Sequence, residues 1–326
     1  MTKRFAKNGI YAFSMLLIAI FRIMVSVGVL SGLSALSSDA VWSVVVQVGF
    51  MGVLPFLLYV IYLKISRDKH AIKTILAEFK YDSLPAKKSW VYIFLISIFA
   101  TFIVTCLSNV WYNLISVIGY TPAISRPLVY DNIGVLFADI ALTAILPATF
   151  EEFTNRGLCY SANENARFPT FAIILSALMF ALMHTNVTQV FYTFFFGLIT
   201  GALVYVTKSI YPAMFCHFVN NFVAVMRDYG RQTGKGFDFL NKAYGFLLGT
   251  TEGGIIATIL FVLVVFLMFV LFLKTSVIES DNRIEKGKEV AFCKETTARL
   301  DNAPLYFAIT LNALITIFTF VWGVIR

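Results

Sequence analysis

Apolar residues in this chain neither alternate with polar ones nor recur once per helical turn. They run in blocks of about twenty, the number that lets a helix cross a hydrocarbon core of roughly 30 Å. Eight or nine such blocks start near Ile10, Val41, Trp90, Ile133, Phe168, Val187, Ser209, Gly254 and Leu305. The polar intervals are few: residues 64–89, a Gly-rich stretch over 230–253 and a second polar loop over 277–304. Within the first, Ile72 to Leu84 is moderately amphipathic and reads either as a helix lying in the interface or as a solvated charged loop. The pattern predicts an all-α fold, a polytopic transmembrane helix bundle of eight or nine helices without a separate soluble domain. The first block follows Lys3, Arg4 and Lys7 as a signal peptide would. It is too long for one, contains Arg22 and is no more apolar than the rest of the chain, so it reads as a retained helix.

Composition narrows the class further. Of 326 residues, 59% are hydrophobic and 13% charged, against roughly 25% charged in soluble domains. Lys and Arg (26) exceed Asp and Glu (18), giving a net charge of +8, and their placement matters more than their sum. With the N-terminus inside, the inner segments hold Lys3, Arg4 and Lys7, then the seven cations from Lys64 to Lys88, then Arg156, Arg167 and Lys208. Lys274, Arg283, Lys286, Lys288, Lys294 and Arg299 complete the inner set, whereas the outer segments hold only Arg126, Arg227, Arg231, Lys235, Lys242 and Arg326. The bias predicts a multi-pass protein of the cell membrane with a cytoplasmic N-terminus. It makes the lipid bilayer, through its acidic headgroups, the partner of the basic segments, and excludes nucleic acid. Cys106, Cys159, Cys216 and Cys293 follow no metal-binding or disulfide spacing and read as packing residues.

Ionisable residues inside a span are costly and therefore point to function. Glu151 and Glu152 end the apolar run Ile140 to Phe150, Arg156 follows four residues after Glu152, and His184 and His217 lie in or at the ends of spans. Arg22 and Asp139 are further buried charges, expected to pair or to line a cavity. If the fourth helix continues to about Asn165 and the chain turns at 167–169, Glu151 lies 17 residues before Phe168 and His184 16 residues after it. At about 1.5 Å per residue the two then reach nearly equal depth on antiparallel helices and can face each other. The polar half of that helix, Glu151, Glu152, Thr154, Asn155, Arg156, Ser161 and Asn163, must face protein or a wet cavity opening inwards. Pro147 deprives the Thr143 carbonyl of its helical donor. His217 enters from a third helix with Asn221 one turn later on the same face, and Asn220 about 100° away. A carboxylate, two imidazoles and an amide converging in this way can activate water and stabilise an oxyanion, which is the chemistry of peptide-bond hydrolysis.

At these residues the chain resembles the CPBP intramembrane proteases, also called the Abi family, which includes CAAX-processing endoproteases and bacterial relatives linked to bacteriocin processing or immunity. The first motif reads Pro147, Glu151, Glu152, Arg156, Gly157; the second, Phe180 to His184; the third, His217 to Asn221. The resemblance implies that Glu151 activates water with help from His184, that His217 and Asn221 stabilise the oxyanion, and that Glu152 and Arg156 support the site as an ion pair. Asn155 stands where many members carry Phe, a departure expected at the cavity wall. No cofactor or metal is expected, although Glu151, His184 and His217 could supply three ligands to zinc; they form no recognised zinc motif.

The chain divides on this reading into N-terminal helices with a basic inner loop (1–130), a catalytic core (131–228) and C-terminal helices with a polar loop (229–326). The expected function is an intramembrane endopeptidase acting on a membrane-associated or hydrophobic peptide. Its partner is a peptide or membrane-protein substrate. The competing function is a non-catalytic binding or immunity protein for a peptide toxin or signal. A small transporter is a third, opposed by the lack of inverted sequence symmetry. The aromatic cluster around Phe191 to Phe196 is expected against lipid or core.

Overall fold

A computed structural model describes residues 2–26, 41, 43–121, 128–165, 169–285 and 299–325. Arg126, Arg167, Lys286, Lys288, Cys293, Lys294 and Arg326 lie outside them. No strand occurs among the described residues, and each predicted apolar block is a helix. The helices are α1 (Lys3–Ser26), α2 (Val44–Ile65), α3 (Ala71–Glu78), α4 (Ser89–Val117), α5 (Ile133–Asn163) and α6 (Pro169–Met183). They continue as α7 (Val187–Thr207), α8 (Tyr211–Thr233), α9 (Asp238–Gly249), α10 (Thr251–Glu285) and α11 (Ala303–Ile325).

Seven of these are long and apolar enough to span a membrane: α1, α2, α4, α5, α7, α10 and α11. The outward side chains of α10, among them Ile259, Val262, Phe266 and Phe269, are exposed and apolar, as expected of a surface solvated by lipid tails. The other two blocks, α6 and α8, fall short for different reasons. α6 stops after 15 residues, and α8 carries His217, Asn220, Asn221 and Arg227. These are the helices that bear the polar candidates, and both are enclosed by the bundle: α6 packs on α7 and α5, and α8 packs on α4, α5 and α7.

Two loop expectations need correction. The Gly-rich stretch 230–253 holds α9, and α10 runs on through residues first read as polar loop to Glu285. Gly and a few polar residues diluted the apolar signal there without breaking helical hydrogen bonding. The amphipathic stretch after Ile72 forms only the short α3, which buries Ala71 and Ile75 and leaves Ile72 and Leu76 outward.

The basic residues of the predicted inner segments gather at one end of the bundle. Arg4 and Lys7 of α1 reach Asn163 and Ser161 at the end of α5, Lys80 pairs with Glu164 at 2.8 Å, and Arg283 donates to the Val206 carbonyl. Glu78 of α3 pairs with Lys3 and Lys7. Burial alone would raise the Glu78 carboxyl, but these ammonium groups and the Tyr59 hydroxyl outweigh it and hold the group at about 2. The first helix is integral to this assembly, with Tyr11 and Met15 fully buried.

Candidate active site

Pro147 sets the geometry of α5. The helix is irregular on both sides of it, with π-helical turns over Ile140–Ile145 and Phe153–Tyr160, a deviation often found at functional sites. Since proline has no N–H to offer the carbonyl four residues back, that carbonyl, of Thr143, is available to another element. It accepts the Asn221 side-chain amide of α8 at 3.0 Å. Asn220 in turn donates to Asn221 Oδ1 at 3.0 Å. The pair of bonds fixes which way the Asn221 amide faces. One feature of the sequence, the proline of the first motif, thereby fixes the asparagine of the third.

The turn after Pro147 carries Glu151 and Glu152, and they differ sharply. Glu152 is wholly buried and accepts from Arg156 at 3.3 Å and from His217 Nδ1 at 2.9 Å. Arg156, also buried, extends to the Gly197 carbonyl at 3.0 Å and to the Thr200 hydroxyl, both on α7. A buried charge needs a partner, and here Glu152 Oε2 faces Arg156 Nε at 3.2 Å while groups on three helices bond the rest of the pair. Glu151 faces the other way. Gln47 of α2 donates to its Oε1 at 2.6 Å, while Oε2 lies 4.0 Å from His217 Nε2 and has no hydrogen-bond partner.

Both imidazoles are oriented through Nδ1. His217 gives Nδ1–H to Glu152, and His184 gives its own to the Phe180 carbonyl at 2.8 Å. Each therefore presents Nε2, which in neutral imidazole is the acceptor. Phe180, one turn before His184, stands between them: its ring meets both imidazoles edge-on, at 5.2 and 5.5 Å, and lies 4.9 Å from the Arg156 guanidinium. The Phe of the second motif is thus the wall that separates the two histidines and covers the buried cation.

Glu151, His184, His217, Asn220 and Asn221 all line one cavity of about 800 Å³. Glu152 and Arg156 stand behind it. The cavity runs from Glu151 past Thr105, Ser108 and Asn109 of α4 and Gln189 of α7 to Tyr112 and Arg227. These positions lie in the half of the bundle away from the basic end. Of the two alternatives for the polar half of α5, protein or a wet cavity, its stretch nearest the basic end finds protein. Tyr11 donates to Asn155 and Lys7 to Ser161, and Asn163 bonds Asn8 and Arg4. Asn155 is accordingly away from the cavity wall; it bridges α1, the Glu151 carbonyl and Met183 Sδ.

Other expectations resolve similarly. Arg22 donates to the His184 carbonyl at 2.7 Å and to the Thr185 hydroxyl, whereas Asp139 accepts from Tyr130 and Thr143, so these two charges serve different partners. Tyr192 and Phe196 of the aromatic cluster pack in or against the core, as expected, and also line the cavity. Gln47 was not anticipated; the available signal was one amide in the otherwise apolar run Val44–Val53. Among the described residues no three His, Cys, Asp or Glu side chains are grouped as a metal site.

Residues 133–223, a little over a quarter of the chain, match the family model described as Rce1-like: Type II CAAX prenyl endopeptidase Rce1-like. The matched stretch holds all three motifs and is similar to the membrane-protease family that they resemble, in a chain with seven helices long and apolar enough to cross a membrane. No curated protein and no solved structure matches the chain.

Proposed function

We propose that this chain is an intramembrane endopeptidase in which a water molecule, activated by Glu151, hydrolyses a peptide bond presented in the cavity. The observation that carries the reading is the contrast between the glutamates. Glu152 Oε1 accepts from Arg156 and His217 and its Oε2 lies 3.2 Å from Arg156 Nε behind the cavity, while Glu151 lines the cavity and its Oε2 has no hydrogen-bond partner beside two imidazoles and an oriented amide.

The residues divide the reaction as follows. Glu151, assisted by His184 Nε2, takes a proton from water as its oxygen bonds to the carbonyl carbon. The developing oxyanion is met by the second N–H of Asn221 and by Nε2–H of a protonated His217, whose Nδ1–H stays on Glu152. The C–N bond then breaks, the proton held by Glu151 passes to the departing amine, and the carboxylate is regenerated. No metal enters any step. The substrate is a peptide segment that the polar cavity can take from the end of the bundle opposite the basic cluster; a prenylated C-terminal peptide and its unprenylated form are the two chemical classes to compare.

The test is quantitative mapping of protein and peptide termini in cells expressing wild type, Glu151→Gln or His184→Ala at matched levels. It is paired with cleavage of quenched-fluorescent peptides, with and without a farnesyl group, by the full chain in detergent after exhaustive chelation. New termini and chelator-resistant cleavage confined to the wild type are expected. Identical termini in all three strains, with a peptide-resistance or signalling phenotype that survives Glu151→Gln, would replace the enzyme by a binding protein.

A further inference from the structure

Gln47 lies outside the stretch matched by the family model, on α2, yet it makes the shortest contact to the candidate catalytic carboxylate. Its Nε2 is 2.6 Å from Glu151 Oε1 across a separation of 104 residues. A carboxylate only accepts, so the amide must face Glu151 with its NH2 group and turn its oxygen aside. That oxygen, Gln47 Oε1, is buried and has no partner, and neither does Glu151 Oε2. Buried acceptors without donors are rare in folded proteins and costly to maintain. Here two of them sit on neighbouring groups that both line the cavity.

The two orphaned acceptors define a place for a molecule with two O–H donors. We propose that Gln47 is a further catalytic residue that, together with Glu151, holds the attacking water: one O–H donates to Glu151 Oε2 and the other to Gln47 Oε1. The inference rests on the endopeptidase reading above and adds to it the group that aims the nucleophile. The water oxygen then keeps a lone pair directed at the substrate, because both of its protons are engaged. When Glu151 Oε2 takes its proton, the second remains on the oxygen that bonds to the carbonyl carbon, directed at Gln47. Gln47 itself is neither protonated nor deprotonated. The Gln47 N–H fixes the carboxylate so that Oε2, not Oε1, is the proton acceptor.

The local fold supports a placed group. Gln47 belongs to a π-helical turn, Val44–Val53, that packs against the segment of α5 carrying the glutamates. About one turn further along α2, the Met51 carbonyl accepts the Thr154 hydroxyl at 2.6 Å, and Gly52 takes the Phe150 ring against its Cα. The helix that carries Gln47 is thus locked to residues on both sides of Glu151 and Glu152.

The experiment compares wild type, Gln47→Met, Gln47→Asn and Glu151→Gln in the full chain, using the two quenched-fluorescent peptides and thermal unfolding in detergent. Met preserves length and suits an apolar span but has no amide; Asn preserves polarity but withdraws the amide by one methylene. Misplacing a reacting group by about 1 Å can cost about 100-fold, so both variants are expected to lose about 10- to 100-fold in kcat with KM within twofold of wild type and an unchanged unfolding midpoint. Wild-type kcat in Gln47→Met beside an inactive Glu151→Gln overturns the assignment and leaves the protease reading standing. A raised KM at unchanged kcat overturns it as well, making Gln47 a substrate contact. Cleavage that survives Glu151→Gln, or its absence from the wild type, overturns the protease reading and the role of Gln47 with it.

Discussion

Glu152 has two cationic or donor partners and no exposure, and that single residue decides whether Arg156 can be buried at all. Removing one member of a buried pair leaves an uncompensated charge and costs about 3–5 kcal/mol, whereas replacing both by apolar groups is often neutral. Glu152→Gln is therefore expected to lower the unfolding midpoint sharply, and Glu152→Gln with Arg156→Met to restore it. The double variant remains inactive because His217 has lost the carboxylate on Nδ1. Thermal unfolding in detergent beside peptide cleavage checks both statements; recovery of cleavage in the double variant would remove Glu152 from the site. Residues of this kind were legible in the sequence because their partners are local or repeat a motif: Arg156 is one turn from Glu152, Phe180 one turn from His184, Asn221 one turn from His217. Gln47 and the Tyr11 contact to Asn155 were not legible. Their partners are more than a hundred residues away, and nothing in a lone polar residue states which helix will meet it.

Among elements, the antiparallel pair α6 and α7 brings His184 to the depth of Glu151. The contact depends on Gly197 and Gly201, four residues apart on one face of α7. A Cβ on Gly197 would lie 2.8 Å from the Ala177 Cα of α6, where no side chain can rotate away, while one on Gly201 would meet only the Ile173 Cγ2 at 3.2 Å. Small residues at such crossings let backbones touch, and in a bilayer that packing carries much of the association. Gly197→Ala is expected to cost about 1–3 kcal/mol and to depress cleavage further than its stability loss explains, since the helix it displaces carries His184 and its own carbonyl holds Arg156. Gly201→Ala is expected to be milder on both counts. Equal effects of the two substitutions on cleavage would detach the α6–α7 spacing from the site. The helices themselves were readable from block length, and α5 ends at Asn163 and α6 starts at Pro169, close to the bounds supposed for them; residues 166–168 lie outside the described residues. What block length could not show is that α6 ends part-way through the bundle, because an apolar run reports hydrophobicity and not which of its neighbours enclose it.

For the whole molecule, two directions are set by different physics. Cations accumulate where the chain cannot cross the bilayer, which gathers Lys3, Lys7, Lys80 and Arg283 at one end. The polar walls of the cavity gather Asn109, Tyr112, Gln189 and Arg227 towards the other. Joined to the positive-inside bias, this predicts a cavity mouth on the side away from the cytoplasm. The sequence left two alternatives here, because a polar helix face can meet protein or a wet cavity; in the fold α1 covers Asn155, Ser161 and Asn163 with matching polar groups. Single cysteines introduced into a cysteine-free background separate the two arrangements. Tyr112→Cys is expected to react with a membrane-impermeant maleimide on intact cells, and Lys64→Cys only after permeabilisation. The reverse pattern would invert the bundle in the membrane and turn the same cavity towards cytoplasmic peptides. With the expected pattern, a substrate made in the cytoplasm has to cross or enter the bilayer before Glu151 can reach its peptide bond, which selects for hydrophobic or membrane-anchored segments.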